Sequence, residues 1–312
     1  MAMRRKMWTG LATVAGLTGM ALLATPVTRT RAAVSSQPGT RTIFVTAYGD
    51  KGVPEKDMTP ADFLVKEDGK AREVVSAAIS RTPMQILLML DDSGLSLGAI
   101  RQGSGQFVEA LQGQAEFAIT TIGANNVPLI DYTRDPPALF DALRGMLARN
   151  NAPVYVLEGL LDGTRALIKR NAARPVIVLV ATEGEEFSSV SSDDVLDSLQ
   201  KSGARFYYIG LGPPVTKGYN PGLGVARPAD ATEYESSKRN AVLGAAPKNS
   251  GGRSEQALQP SGVPVMMKQF ATELANVYEV TYKTDVASAK LGVETKRKGV
   301  KLRAPLRVGV RS

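Results

Sequence analysis

Residues 89–96 read MLDDSGLS and follow the apolar run MQILL. Asp91, Asp92, Ser93 and Ser96 therefore stand where a buried strand gives way to a Ser/Gly turn, a setting that suits oxygen ligation of a hard cation or contact with a phosphate. A second acidic turn, TEGEE at 182–186, contains Glu183. The sequence has no histidine and no cysteine. That removes imidazole acid–base chemistry, thiol nucleophiles, disulfides and zinc sites of the usual N/S type. Carboxylates, hydroxyls, Lys, Arg and Tyr remain, so a bound metal would be Mg²⁺, Ca²⁺ or Mn²⁺. Neighbouring carboxylates can share a proton or two metals, which makes a metal-dependent hydrolase or phosphotransferase using Asp91, Asp92 and Glu183 the enzymatic alternative. No phosphate loop of the Gly-x4-Gly-Lys-Ser type accompanies them, and GSG at 103–105 falls inside a helical stretch where packing accounts for it.

The elements that must position these residues follow from periodicity. MQILLML, RPVIVLVAT and ARFYYIGLG are continuous apolar runs, the pattern of central parallel strands buried on both faces. AEFAITTIG and VPLIDYT read as further strands. Between them, Leu97, Ile100, Phe107, Val108 and Leu111 recur at helical spacing, and Asp135-Pro136 opens a helix carrying Leu139, Leu143 and Leu147. NNAPVYVLEGLLDGTRALIKR is a further helix, and SSDDVLDSLQKSG is a helix capped at both ends and closed by Gly203. GPPVTKGYNPGLGVARPAD reads as a long surface loop, followed by a short helix at 233–246, a GGR turn, a helix near 263–276 and the strand NVYEVTYKT. Alternation of strand and helix implies an α/β fold: a doubly wound, mostly parallel sheet with helices on both faces.

Flanking segments have a different texture. TIFVTAYGD, FLVKED and REVVSAAIS read as strands, with Asp68-Gly69 as a hairpin turn, giving an N-terminal β segment over 34–82 that is too small to bury a core alone. The α/β unit then spans 83–285, and a basic β tail spans 286–312, so the two end segments are expected to form a small accessory β unit.

The net charge of +8 belongs to the ends of the chain. Residues 1–38 carry five basic groups and no acid, residues 286–312 carry eight basic groups and only Glu294, and the remaining body is slightly acidic. This argues against a nucleic-acid face on the body. The basic tail reads as one or two edge strands with a cationic outer face, or as a contact for an anionic surface. MAMRRKMWTGLATVAGLTGMALLATPV has the form of a secretory signal over residues 1–33, with an uncleaved membrane anchor as the alternative. The chain is accordingly expected to be exported, periplasmic or secreted.

A strand ending in Asp-x-Ser-Gly, a second strand ending in TEGEE, a preceding TPADFLVKEDGKAREV segment and a following GGR turn with a basic finish resemble the von Willebrand factor A domain, in its bacterial extracytoplasmic branch. The resemblance covers roughly residues 42–304. It implies a metal-ion-dependent adhesion site, built from Asp-x-Ser-x-Ser on one loop, a Thr on a second and an Asp on a third. Asp91 and Ser93 match the first two positions, but Leu95 stands at the third. Shifting the register makes Asp92 and Ser96 the outer pair. Ala152 falls at the Thr position, with Asn150 and Asn151 beside it, and Glu183 replaces the Asp. The implied site is degenerate, with Asp91, Ser93 and Glu183 as its residual ligands. MLDDSGLS then has three readings: a strand-to-helix turn with Ser96 as N-cap and Asp91 bonded to loop amides, an altered metal site, or an intact one. The acids of EGEEF and SSDD are expected to form a solvated rim and a helix N-terminus. The function implied is a non-catalytic interaction or adhesion module with a protein or cell-surface partner, no certain cofactor, and weak or lost metal dependence. Metal-dependent adhesion is its alternative.

Overall fold

The computed structural model describes residues 39–92, 96–123, 126–149, 154–182, 186–212 and 229–309, all within one compact unit, Gln37–Ser312, and these described residues form fourteen strands, six α-helices and two short 3-10 helices. Chain order begins with β1 (Gly39–Tyr48), β2 (Phe63–Glu67), β3 (Lys70–Arg72) and β4 (Val74–Ile79). The α/β part follows as β5 (Met84–Asp91), α1 (Leu97–Ala110), β6 (Ala115–Ile122), β7 (Val127–Thr133), α2 (Pro136–Gly145), α3 (Val156–Lys169), β8 (Pro175–Thr182), α4 (Ser192–Ser202), β9 (Arg205–Leu211), α5 (Ala229–Ser250), β10 (Arg253–Ala257) and α6 (Gly262–Leu274). The chain closes with β11 (Val277–Thr284), β12 (Ala289–Thr295), β13 (Lys301–Arg303) and β14 (Arg307–Val308).

The central sheet has the order β10-β9-β8-β5-β6-β7, parallel throughout except for β7, which runs antiparallel at one edge. Two-sided burial explains the unbroken apolar runs. Along β5, Ile86, Leu88 and Leu90 face a core shared with α1, α2 and α6, while Leu87 and Met89 face a second core shared with α3, α4 and α5. The same alternation sorts Val176, Val178 and Val180 of β8 from Ile177 and Leu179. Each fully buried Leu, Ile or Val contributes about 2 kcal/mol through removal from water. The period of two thus fixes which helix each strand residue meets.

The accessory β unit is built from both ends of the described chain. One sheet has the order β13-β1-β11-β4 and the other β14-β12-β2-β3. Ile43, Val45, Phe63, Val65, Tyr278, Val280, Tyr282 and Leu291 form its own core. The sequence places NVYEVTYKT at the end of the α/β unit. In the structure this strand, β11, lies instead between β1 and β4, paired with β1 from Gly39↔Thr284 to Thr46↔Val277. Its alternation of Tyr278, Val280 and Tyr282 supplies one face to the accessory core, which a central strand of the parallel sheet, apolar on both faces, would not do.

Two further differences concern α5 and the GGR segment. The helix read at 233–246 runs over 229–250, and the residues after the GG pair form β10 rather than a plain turn. Gly252 is required there: a Cβ at this position would lie 1.9 Å from the carbonyl oxygen of Phe206, so only glycine lets β10 join β9.

Candidate functional site

In an open, doubly wound sheet, ligands meet the crevice beyond the C-terminal strand ends where the strand order reverses. Here the reversal lies between β5 and β8, because the chain leaves β5 toward β6 and β7 and then crosses to β8 on the other side. Asp91 ends β5, Asp92 follows it, and Thr182 ends β8. The sequence reading therefore places its first acidic pair at the switch point.

Both carboxylates are buried, Asp91 at 1% and Asp92 at 2% exposure. Asp91 Oδ2 accepts the backbone N–H of Thr182 at 2.6 Å, which ties the ends of the two central strands together. Asp92 Oδ2 accepts Arg149 Nε at 2.7 Å and also Arg149 Nη2. The same Nη2 donates to Thr121 Oγ1 at 2.9 Å, and the Arg149 backbone N–H donates to the Asp92 carbonyl at 2.9 Å. Arg149 thus brings the loop after α2 onto the strand end by three routes. The charge of Asp92 is balanced within the chain, which is what permits a carboxylate to be buried there.

Ser96 stands at the N-cap position of α1, as its place in the sequence predicts. Its hydroxyl, however, makes no capping bond. With φ −103° and ψ −7° the residue already has near-helical backbone, whereas a capping Ser adopts extended geometry. Asp91 accepts the amide of Thr182 at the end of β8, and the loop amides expected to bond it lie outside the described residues. Ser93 and Leu95, together with Asn150, Asn151, Ala152 and Glu183, lie outside the described residues.

The expected solvated rim is corrected at Glu186, which is fully buried. Its carboxylate accepts the backbone N–H groups of Val156 at 3.3 Å and Leu157 at 3.4 Å, at the start of α3, and that of Ser188 at 3.2 Å, together with the Ser188 hydroxyl. A buried acid therefore satisfies the orphan donors of a helix N-terminus from outside the helix. Burial raises its pKa above the ordinary carboxyl range, opposed by the Ser188 bond, the charge of Arg239 and the backbone amides. At SSDD the expectation of a helix N-terminus is met, since Ser191 caps α4 by accepting the N–H of Asp194 at 3.1 Å.

Arg239 of α5 is 1% exposed and donates through Nη2 to the Thr182 carbonyl at 2.7 Å. A connected network results: Asp91 to Thr182, Thr182 to Arg239, and Arg239 by charge to Glu186. Sequence reasoning named Asp91 and Asp92, placed Glu186 at the surface, and missed Arg149 and Arg239. Arg239 had a legible signal, because it precedes the buried Val242, Leu243 and Ala246 at helical spacing and so shares their inward face. Arg149 had none, being one of many surface-type arginines in a loop.

A hard dication wants about six oxygen donors with uncompensated negative charge. Asp92 has spent its charge on a guanidinium, and Asp91 Oδ2 is directed to an amide. Among the described residues, no group of three or more acids is placed to hold a metal ion. The guanidinium beside Asp92 opposes a cation at that carboxylate, while Ser93 and Glu183, the other ligands the resemblance implies, lie outside the described residues.

No family model and no curated protein matches the sequence. Among solved structures, a chain described as von Willebrand factor type A from Catenulispora acidiphila is similar at 10% identity, covering 89% of this chain and 75% of that one, with a TM-score of 0.46. Proximal thread matrix protein 1 from the mussel byssus is similar at 12% identity over 62% of this chain and 48% of that one, with a TM-score of 0.47. A form of that protein described with a zinc-occupied MIDAS motif is similar at 12% identity, covering 69% of this chain and 50% of that one, with a TM-score of 0.48. This chain spans about half the length of the mussel chains it matches. At these values the fold rests on its own strand order and not on the neighbours.

Proposed function

We propose that this chain is a non-catalytic interaction module of the von Willebrand factor A type, which engages a protein or cell-surface partner through the loops at the C-terminal edge of its parallel sheet without needing a bound metal. The observation that carries the reading is the Arg149–Asp92 pair, an internal cation on the strand end where the resemblance implies an external one. Exposed apolar side chains at the same edge add to it: Leu147 between α2 and Arg149 is 77% exposed, Leu258 just beyond β10 is 72% exposed, and Val127 opens β7. Large apolar groups left in water beside a rigid strand edge suit burial against a partner. The cationic and apolar leader over residues 1–33 supports an exported chain, periplasmic or secreted.

Calorimetric titration of the full chain with Mg²⁺ and Mn²⁺ tests this. The expected result is no saturable heat up to millimolar metal. A saturable heat that is lost in Asp91→Ala would replace this reading with metal-dependent adhesion through the same loops. Turnover in a phosphatase and nucleotidase screen, lost in Asp91→Asn, would replace it with a hydrolase.

A further inference from the structure

At the opposite end of the sheet, a cavity of about 1030 Å³ lies where the N-terminal ends of β8 and β9 meet the accessory β unit. Its lining contains six basic side chains, Arg41, Arg174, Lys201, Arg205, Lys290 and Arg307, against one acid, Asp197. Asp197 is paired with Lys201 at 2.7 Å, and Arg41 is paired with Glu67. The other four have no ion-pair partner among the described residues.

Two of these four are buried. Arg174 donates to the carbonyls of Leu274 at 2.7 Å and Thr82 at 3.3 Å, while Arg205 donates to the Phe44 carbonyl at 2.7 Å and the Thr46 hydroxyl at 2.5 Å. The direct acceptors are neutral, and the nearest acids stand one step away: Glu279 acts on Arg174 by charge, and Glu273 is reached from Arg205 through the Thr46 hydroxyl. Burial first, and then the charge of Arg205, push Arg174 down to about 10. The remaining two, Lys290 and Arg307, are exposed and directly opposite each other across the β12–β14 ladder. Like charges in that position destabilise a strand pair. A cationic edge deters unwanted strand pairing, and a bound anion would in addition offset the repulsion between these two side chains.

The cavity is far larger than one inorganic anion and within the size of sites that take extended organic ligands. Its walls also include Phe44, Leu199 and Leu306, so the occupant must be apolar as well as anionic. Arg307–Val308 forms β14, which lines the cavity and, among the described residues, has a partner strand on one side only, so its other edge suits an added strand. We propose that this cavity is a second docking site that takes an extended acidic peptide segment of a partner protein, laid along β14 with its carboxylates toward Lys290, Arg307 and the buried arginine pair. The site lies at the end of the sheet opposite Asp91, and it does not depend on the function proposed for the upper loops.

A fluorescein-labelled peptide of alternating Glu and Leu, titrated into the full chain and followed by anisotropy, tests the proposal. Expected is saturable binding at low salt that weakens as salt rises, and that falls roughly tenfold or more in Lys290→Glu and in Arg307→Glu, both exposed positions where the fold tolerates a charge change. Asp91→Ala should bind the peptide like the unaltered chain, which separates this site from the upper loops. Three results would overturn the proposal: no binding near millimolar peptide, binding indifferent to both charge reversals, or binding of phosphatidylglycerol vesicles with none of the peptide.

Discussion

Replacing Arg149 by Met leaves Asp92 with its charge and without its cation. The Asp92 side chain is only 3% exposed and that of Arg149 is 32% exposed, so the two truncations are not equivalent. Breaking a fully buried pair costs about 3–5 kcal/mol, and the partial exposure of the guanidinium reduces this to about 2–3 kcal/mol for Arg149→Met. Asp92→Asn should cost only about 1 kcal/mol, because an amide oxygen still accepts from Arg149 and the remaining cation reaches solvent. In the double variant no buried charge is orphaned, so the two losses overlap by a coupling of about 2 kcal/mol. Urea denaturation of the four proteins, followed by circular dichroism at constant m-value, measures each term. The reasoning is refuted if Asp92→Asn destabilises as much as Arg149→Met, or if the coupling falls below about 0.5 kcal/mol.

The remaining predictions concern two other buried acids. Because burial raises the folded pKa of Glu186 above its ordinary value of 4.5, the folded chain binds this proton more tightly than the unfolded chain. Its contribution is therefore greatest below the ordinary carboxyl range and is lost as pH rises through the raised one. Stability relative to Glu186→Gln, measured by urea denaturation between acid and neutral pH, should shift in favour of the variant as pH increases; a shift the other way contradicts the assignment. Glu67 is 1% exposed and accepts from Arg41, from the Tyr282 hydroxyl at 2.8 Å and from the Thr284 hydroxyl at 2.6 Å. Glu67→Ala should cost about 3–5 kcal/mol, and thermal melts should place the loss well beyond that of Glu294→Ala, whose partner Lys66 is at the surface.

The parallel sheet was legible because two-sided burial leaves no alternative to a continuous apolar run, and MQILLML, PVIVLVAT and RFYYIGL have no other reading at that length. Gly203 and Ser191 were legible because caps act within one turn of chain. The placement of β11 was not, since its partner β1 lies more than two hundred residues earlier and pairing at that distance leaves no local pattern. The same limit applies at the site. Asp91 and Asp92 announce themselves by following an apolar strand. That Asp92 is already neutralised depends on Arg149, fifty-seven residues later, whose side chain reaches back across Thr121. Glu186 misled for a related reason: an acid in a polar run reads as solvated until the start of α3 is seen to close over it.

The pairing of β1 with β11 and of β2 with β12 has a consequence for how the chain is made. A ribosome delivers β1 to β4 first and then the whole α/β sheet, while the strands that complete the accessory sheets emerge last. Throughout that interval the early strands offer open main-chain edges and half a hydrophobic core, and the α/β unit can close without them. Nascent chains halted before residue 277 should therefore protect the parallel sheet from protease while exposing β1 to β4, with protection of those four strands arriving in a single late step.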